Sequence, residues 1–371
     1  MKKTITLLTC LLASVCLFAD EDMEDRLRNM DCLVQVKTDA SVTKRIESML
    51  RSKRDTEKLI GRSTAYFPIF DQLLKEYELP ADLKFITCLE TELNNKTIST
   101  AGAKGIWQLM PDVKEEFGLR IDNILDERLD LVRGTEAALK DLKRLYKAFG
   151  SWEMALAGYN CGVGRLGQAI KKAKSTNFDD VKAFLPQQTQ DYVPKFIAFT
   201  YIMKNYKAHN MKPALPELDM QIIGSVKVKN FMSLSTVADI TGISYDFIKN
   251  LNTHYGAEYI PENEKGYNVI VPRRVMGALQ DYIANLESPN PLSLTFTPSV
   301  VDENLPKLDK EPNYFQTTYY MGDNETIENV ADLFNISVQN IMVWNNLDYP
   351  HLAKGVEVKL FLPRVVPKRI S

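Results

Sequence analysis

The spacing of apolar residues changes from a helical to a mixed pattern after about residue 210. Over residues 65–205 apolar positions recur at steps of three or four, as on the helix face formed by Ala138, Leu142, Leu145 and Phe149. This pattern predicts an all-α domain over residues 61–210, preceded by a charged helical lead-in over residues 20–60.

Two later segments resemble each other in sequence. The strings 233-SLSTVADITGISYDFIKNLN-252 and 326-TIENVADLFNISVQNIMVWN-345 align at a constant offset, and each is followed by a β-branched stretch. Both are typical of the order strand, helix, turn, helix, strand. The repeat predicts small βααβ modules over residues 221–274 and 313–364, with a proline-rich linker over residues 286–312 between them.

The first 25 residues, MKKTITLLTCLLASVCLFADEDMED, combine two lysines, a short apolar stretch and an acidic segment. This order is typical of a secretory signal peptide, here residues 1–19. It predicts export to the periplasm or cell envelope, with no transmembrane helix after signal removal. A lipid anchor on Cys16 is the alternative to free export.

Composition narrows the classes of function. The net charge of −2 disfavours a nucleic-acid-binding surface. Outside the signal, the cysteines are Cys32, Cys88 and Cys161, with no CxxC pair, and the three histidines are scattered. No metal site, disulfide framework or cofactor is therefore predicted.

A carboxylate stands at the edge of an apolar helix face. The helix begins near Pro80, and its face carries Leu83, Ile86, Leu89 and Leu93. Glu90 lies beside this face, where loss of hydration would raise its pKa and suit it to general acid catalysis. Glu92 points away and is interpreted as a solvated surface charge.

Two glycine-rich stretches follow Glu90. Gly102, Ala103 and Gly105 leave room for a tight turn or a close ligand. The string 158-GYNCGVGRL-166 has no preceding strand and is not a nucleotide-binding loop. Residues 126–128 (Asp-Glu-Arg) are interpreted as a helix start or ion pair outside the site.

Several ordered strings carry a family resemblance. Glu90, 99-STAGAKGIWQLMP-111, 158-GYNCGVG-164 and 188-QTQDYV-193 resemble family 1 lytic transglycosylases, whose Slt domain has a goose-type lysozyme-like fold. The repeated segments resemble LysM domains. Together these resemblances imply an α+β multidomain protein, with an all-α lysozyme-like catalytic domain followed by two small βααβ LysM modules.

The resemblance implies that the substrate is peptidoglycan. The family cleaves the β-1,4 bond between N-acetylmuramic acid and N-acetylglucosamine without water and leaves 1,6-anhydromuramyl ends. Glu90 would act as acid and then as base. Substrate binding is implied for Ser99, Gln108, Met110, Tyr159, Asn160, Gln188 and Tyr192.

The chain departs from the family patterns in two places. Gln188 stands where the family often has glutamate, and we expect the missing charge to raise the Glu90 pKa less. The first LysM module is degenerate, because Phe231 and Met232 stand where the family usually has Gly-Asp. In the second module Thr326, Ile327 and Asn345 match expected glycan-binding positions.

Two alternative functions differ from the transglycosylase in what the helical domain does to the glycan strand. A hydrolytic muramidase would deliver water instead of the sugar hydroxyl, and a non-catalytic protein would only bind peptidoglycan. The lack of an obvious second carboxylate near Glu90 favours the transglycosylase. The LysM modules are expected to act as wall anchors that are separable from cleavage.

Overall fold

The computed structural model describes residues 23–288, 313–348 and 350–364. The predicted signal peptide over residues 1–19, including Cys16, lies outside the described residues. So does most of the predicted linker, residues 289–312.

Residues 23–221 form α-helices joined by loops. The α-helices are α1 (Met23–Asn29), α2 (Ala40–Arg51), α3 (Lys53–Glu76), α4 (Phe85–Thr91), α5 (Val113–Phe117), α6 (Arg133–Phe149), α7 (Trp152–Cys161), α8 (Val163–Ala173), α9 (Phe178–Lys182), α10 (Gln187–Gln190), α11 (Tyr192–Asn205) and α12 (Leu218–Gln221). Short 3-10 helices occur at Ala81–Lys84 and Tyr206–His209.

The helical lead-in shares the core of the helical domain. Leu27 of α1 and Ile46 of α2 are fully buried in one apolar cluster with Phe70 of α3 and Phe196 of α11. Helix α3 runs through the boundary predicted between residues 60 and 61. The lead-in therefore packs as part of the same body.

The first repeat folds around an antiparallel strand pair. Its elements are β1 (Ile223–Val228), β2 (Met232–Ser233), α13 (Leu234–Thr241), α14 (Tyr245–Leu251), β3 (Tyr259–Ile260), β4 (Tyr267–Pro272) and α15 (Arg273–Leu286). Strand β1 pairs with β4, with Val226 opposite Val269. Helix α15 was not predicted. It buries Val275, Leu279 and Ile283, which recur at steps of four.

The second repeat shares the order strand, helix, helix, strand with the first, which has β2, β3 and α15 in addition. Its elements are β5 (Tyr314–Tyr320), α16 (Ile327–Phe334), α17 (Val338–Trp344) and β6 (Glu357–Pro363). Strands β5 and β6 pair antiparallel. The prediction of a helical domain followed by two βααβ modules is confirmed.

An asparagine joins the second helix of each repeat to its last strand. The Asn252 amide donates to the carbonyls of Ile248 and Ile270 (2.8 Å each) and accepts from the Ile270 N–H (2.7 Å). Asn345 makes the same three kinds of bond with Ile341 and Lys359. The shared asparagine is therefore a structural feature of the module.

Among the described residues, no helix combines the length and apolar character needed to span a membrane.

Candidate active site

Glu90 lies in the last turn of α4, whose inner face is fixed by the core. Ile86, one turn earlier, is fully buried, as is Leu83 in the preceding 3-10 helix. The helix ends because Glu92 and Leu93 adopt left-handed backbone conformations (φ 50° and 62°). The Glu92 side chain is 63% exposed, as predicted.

The Glu90 carboxyl is bonded to a buried phenol. Tyr192, at the start of α11, is 1% exposed, and its Oη donates to Glu90 Oε1 at 2.5 Å. Burial raises the pKa of Glu90 to about 6, while the Tyr192 bond and the positive charge of Lys195 oppose this rise. The pKa of Tyr192 is also raised well above its ordinary value, because the ring is buried beside Glu90.

The loop after α4 is held by its own polar groups. The Ala103 N–H donates to Ser99 Oγ at 3.0 Å. Gln108 Nε2 donates to the carbonyls of Thr97 (3.1 Å) and Gly105 (3.0 Å). Ser99 and Gln108 therefore shape the loop as well as face the cleft.

Helix α7 is joined to both neighbouring segments. Tyr159 Oη donates to the Trp107 carbonyl at 2.7 Å. Asn160 Oδ1 accepts from Thr189 Oγ1 of α10 at 2.8 Å. These bonds place α7 between the loop and α10, where it forms one wall of the cleft.

The cleft has a volume of about 640 Å³. Its lining includes seven of the residues predicted from sequence: Glu90, Ser99, Gln108, Met110, Tyr159, Asn160 and Gln188. Tyr192 contacts Glu90 from the protein interior. The structure therefore brings the predicted site residues of this domain together.

Sequence reasoning missed a charged group in the same cleft. Arg144 bonds Glu116 (2.9 Å) and Asp141 (2.5 Å), and all three line the cleft with Asp112 and Arg165. Asp141 and Arg144 are three residues apart on α6, a spacing that is typical of an ordinary ion pair on a helix surface. Carboxylates other than Glu90 are thus present, with Asp141 and Glu116 paired to Arg144.

The residues predicted to bind glycan in the second module have structural contacts. Thr326 caps α16 and forms a capping box with Asn329. Ile327 is fully buried and offers no side-chain surface in this conformation. The Asn345 amide is used within the module, as described above. A glycan-binding role for the three stays a prediction.

Across residues 23–288, 313–348 and 350–364, no group of three or more histidine, cysteine or carboxylate side chains could hold a metal ion.

The chain carries a transglycosylase SLT domain followed by two LysM-type domains. Residues 67–182 match the family described as Transglycosylase SLT domain. Residues 223–288 match the family described as Lytic transglycosylase MltD, LysM-like domain, and residues 322–358 match the LysM domain.

The chain is homologous to membrane-bound lytic murein transglycosylase D of Escherichia coli strain K12. The two are 29% identical over 315 residues, which cover 83% of this chain and 66% of that protein. The chain thus spans just under two thirds of the relative's length. A putative tributyltin chloride resistance protein of an Alteromonas species is 34% identical over 116 residues, covering 31% of this chain and 56% of that protein.

Solved structures of two lytic transglycosylases also align with this chain. The 70 kDa enzyme of Escherichia coli is 18% identical, with a TM-score of 0.35 and coverage of 46% of this chain and 31% of that one. The Slt enzyme of Pseudomonas aeruginosa is 21% identical, with a TM-score of 0.32 and coverage of 40% and 25%.

Proposed function

We propose that the protein is a peptidoglycan lytic transglycosylase that cleaves the β-1,4 bond between N-acetylmuramic acid and N-acetylglucosamine. The observation that carries the proposal is the Glu90 carboxyl. It lies in an open cleft, has a pKa raised to about 6, and is oriented by Tyr192. A carboxyl with such a pKa is half protonated near pH 6 and keeps a minor protonated fraction at neutral pH, which can give its proton to a leaving oxygen.

In the first half of the reaction, protonated Glu90 gives its proton to the glycosidic oxygen. The bond from that oxygen to C1 of N-acetylmuramic acid breaks, and the positive charge at C1 is shared with the sugar's own N-acetyl group. Glu90 becomes a carboxylate, which the Tyr192 hydroxyl stabilises by its hydrogen bond.

In the second half, Glu90 takes the proton of the C6 hydroxyl of the same sugar. The C6 oxygen bonds to C1 and closes the 1,6-anhydro ring. The proton lost in the first half is regained, and no water is consumed. This route needs no second carboxylate; of the other carboxylates that line the cleft, Asp141 and Glu116 are paired with Arg144 and Asp112 takes no part in the proposed steps.

The LysM-type domains fit an anchoring role in the cell envelope. Linked weak sites raise the effective concentration of an enzyme on an insoluble polymer. Thr326, Ile327 and Asn345 of the second module are proposed to support glycan binding by holding the module's fold, since their contacts are internal.

Mass spectrometry of muropeptides released from purified sacculi tests the reaction. We expect products lighter by one water than their hydrolysed equivalents, and none from Glu90→Gln. Glu92→Gln is the matched control, since Glu92 lies two residues on and is exposed. Ordinary reducing ends would indicate a hydrolytic muramidase, and no Glu90-dependent product would indicate a protein that only binds the wall.

A further inference from the structure

The first LysM-like module is joined to the helical domain by backbone pairing. Asp126 N–H donates to the His254 carbonyl, and Gly256 N–H donates to the Ile124 carbonyl, each at 2.9 Å. Between these bonds Leu125 lies opposite Tyr255 in an antiparallel bridge. The helical domain thus contributes a short strand-like segment to the module.

That segment also enters the module's core. Leu125 is fully buried and belongs to the apolar cluster of the first module rather than to that of the helical domain. Burying a leucine side chain in this way stabilises the contact, because its apolar surface is removed from water. The two bodies therefore share a core at this point.

A buried polar contact fixes the other end of the same segment. Asn268 Nδ2 of β4 donates to Asp130 Oδ2 at 2.9 Å, and the two residues are 4% and 2% exposed. Asp130 Oδ1 accepts from the N–H groups of Val132 (2.8 Å) and Arg133 (3.1 Å) at the start of α6. We call residues 120–130 the brace.

The brace holds the cleft loop through Arg128, which is 4% exposed. Arg128 Nη1 donates to the carbonyls of Gly102 (2.9 Å) and Leu109 (3.3 Å), near the two ends of the loop. Its Nε and Nη2 donate to Asp126, at 2.9 and 2.8 Å. Because this buried guanidinium group bonds both the loop carbonyls and Asp126, it holds the loop and the brace in a fixed relative position.

The loop also packs directly on the brace. A Cβ added at Gly105 would lie 2.1 Å from the Arg128 carbonyl oxygen, so no side chain fits between them. Asn95 connects the two, because its Nδ2 donates to the Leu129 carbonyl (2.7 Å) and its Oδ1 accepts from the Ile106 N–H (3.0 Å). Movement of the brace must therefore move the loop.

We propose that the first LysM-like module positions the cleft loop of the catalytic domain. By docking on the brace, it fixes Arg128 and hence the loop that presents Ser99, Gln108 and Met110 to the cleft. This inference rests on the proposed function and gives the module a role besides wall anchoring. It opposes the expectation that both modules are separable from cleavage.

Gly256→Ala in the full-length protein tests the docking contact. The added Cβ would lie 2.6 Å from the Asn123 carbonyl oxygen and would push the module away from the brace. The matched control is Gly277→Ala in α15 of the same module, where no atom lies within 4 Å of the added Cβ. Both variants are assayed on soluble, uncross-linked glycan strands, so that anchoring to the wall does not affect the measured rates.

We expect Gly256→Ala to lower kcat/KM roughly tenfold or more, since ångström-scale misplacement of a binding group can cost about 100-fold. The loss should appear mainly as a higher KM, because the loop binds sugar while Glu90 and Tyr192 keep their contact. Deuterium exchange of residues 99–109 should rise in this variant and stay unchanged in Gly277→Ala.

Unchanged kinetics in Gly256→Ala, or a lower kcat at unchanged KM with normal loop exchange, would overturn the proposal. The latter pattern would mean that the substitution lowers the amount of folded enzyme without moving the loop. The exchange measurement needs no turnover, so it decides the proposal even if the sacculus assay yields no Glu90-dependent product.

A second pair of variants tests the buried contact. Asn268→Asp places two carboxylates face to face and should loosen the loop in the same way. Adding Asp130→Asn restores an amide opposite a carboxylate and should recover the KM. A double variant no better than the single one would contradict the role of this contact.

Discussion

Replacing Tyr192 with phenylalanine tests how the pKa of Glu90 is set. The Tyr192 hydroxyl donates to Glu90 Oε1, and this bond favours the carboxylate over the protonated acid. Burial acts in the opposite direction and is the larger effect, which leaves the pKa at about 6. Tyr192→Phe removes the bond and leaves the burial.

The expected shift follows from the strength of such a bond. A hydrogen bond to a charged group contributes about 1.5–3 kcal/mol, and one pKa unit corresponds to about 1.4 kcal/mol. The Glu90 pKa should therefore rise by about one to two units, to about 7–8. Because Glu90 must be protonated to act as an acid, activity should persist to higher pH.

The assay is the pH dependence of kcat/KM on soluble glycan strands, which reports the free enzyme. We expect the alkaline limb to lie near pH 6 in the wild type and higher in Tyr192→Phe. Tyr159→Phe is the matched control. The Tyr159 hydroxyl donates to the Trp107 carbonyl rather than to Glu90, so this limb should keep its position. A limb that stays in place or moves down in Tyr192→Phe would refute the reasoning.

Two further predictions concern Gln188 and the shared asparagines. Gln188→Glu adds a negative charge to the cleft lining and should move the alkaline limb to higher pH. The shift should be smaller than in Tyr192→Phe, because the side chain at position 188 is exposed, and added salt should reduce it. An unchanged pH profile would contradict this prediction. Asn252→Ala should lower the free energy of unfolding by about 1–3 kcal/mol in urea denaturation, because it leaves buried partners on Ile270 unpaired. Asn345→Ala removes the same bonds nearer the surface and should cost less, and equal stability of the Asn252 variant and the wild type would count against the argument.

The chemistry of Glu90 could be predicted because it is local. Glu90 follows Ile86 by one helical turn, and the spacing of the apolar face places it at the border of the core. The glycines at 102 and 105 likewise indicated a tight loop, and both adopt positive φ (83° and 79°).

Contacts between distant segments could not be derived from spacing alone. Tyr192 reaches Glu90 across 102 positions of sequence, and the family resemblance, not periodicity, pointed to it. Residues 126–128 were interpreted as a helix start or ion pair. Asp126 and Arg128 do form a buried ion pair, and α6 begins only at Arg133. Their hold on the cleft loop depends on backbone carbonyls, which carry no sequence signal.

The two repeats agree in sequence where their own fold requires it and differ where the first one docks. Asn252 bonds a residue 18 positions ahead on its last strand, whereas Asn345 bonds one 14 positions ahead. The first module therefore has a longer connection after its second helix, and His254 and Gly256, which pair with the brace, lie in that connection. Comparison of the two repeats identifies only the residues that they share. Those residues define the fold of the module and do not include the segment that connects the first module to the cleft. The added length is the feature of the sequence from which a special role for the first module could have been suspected.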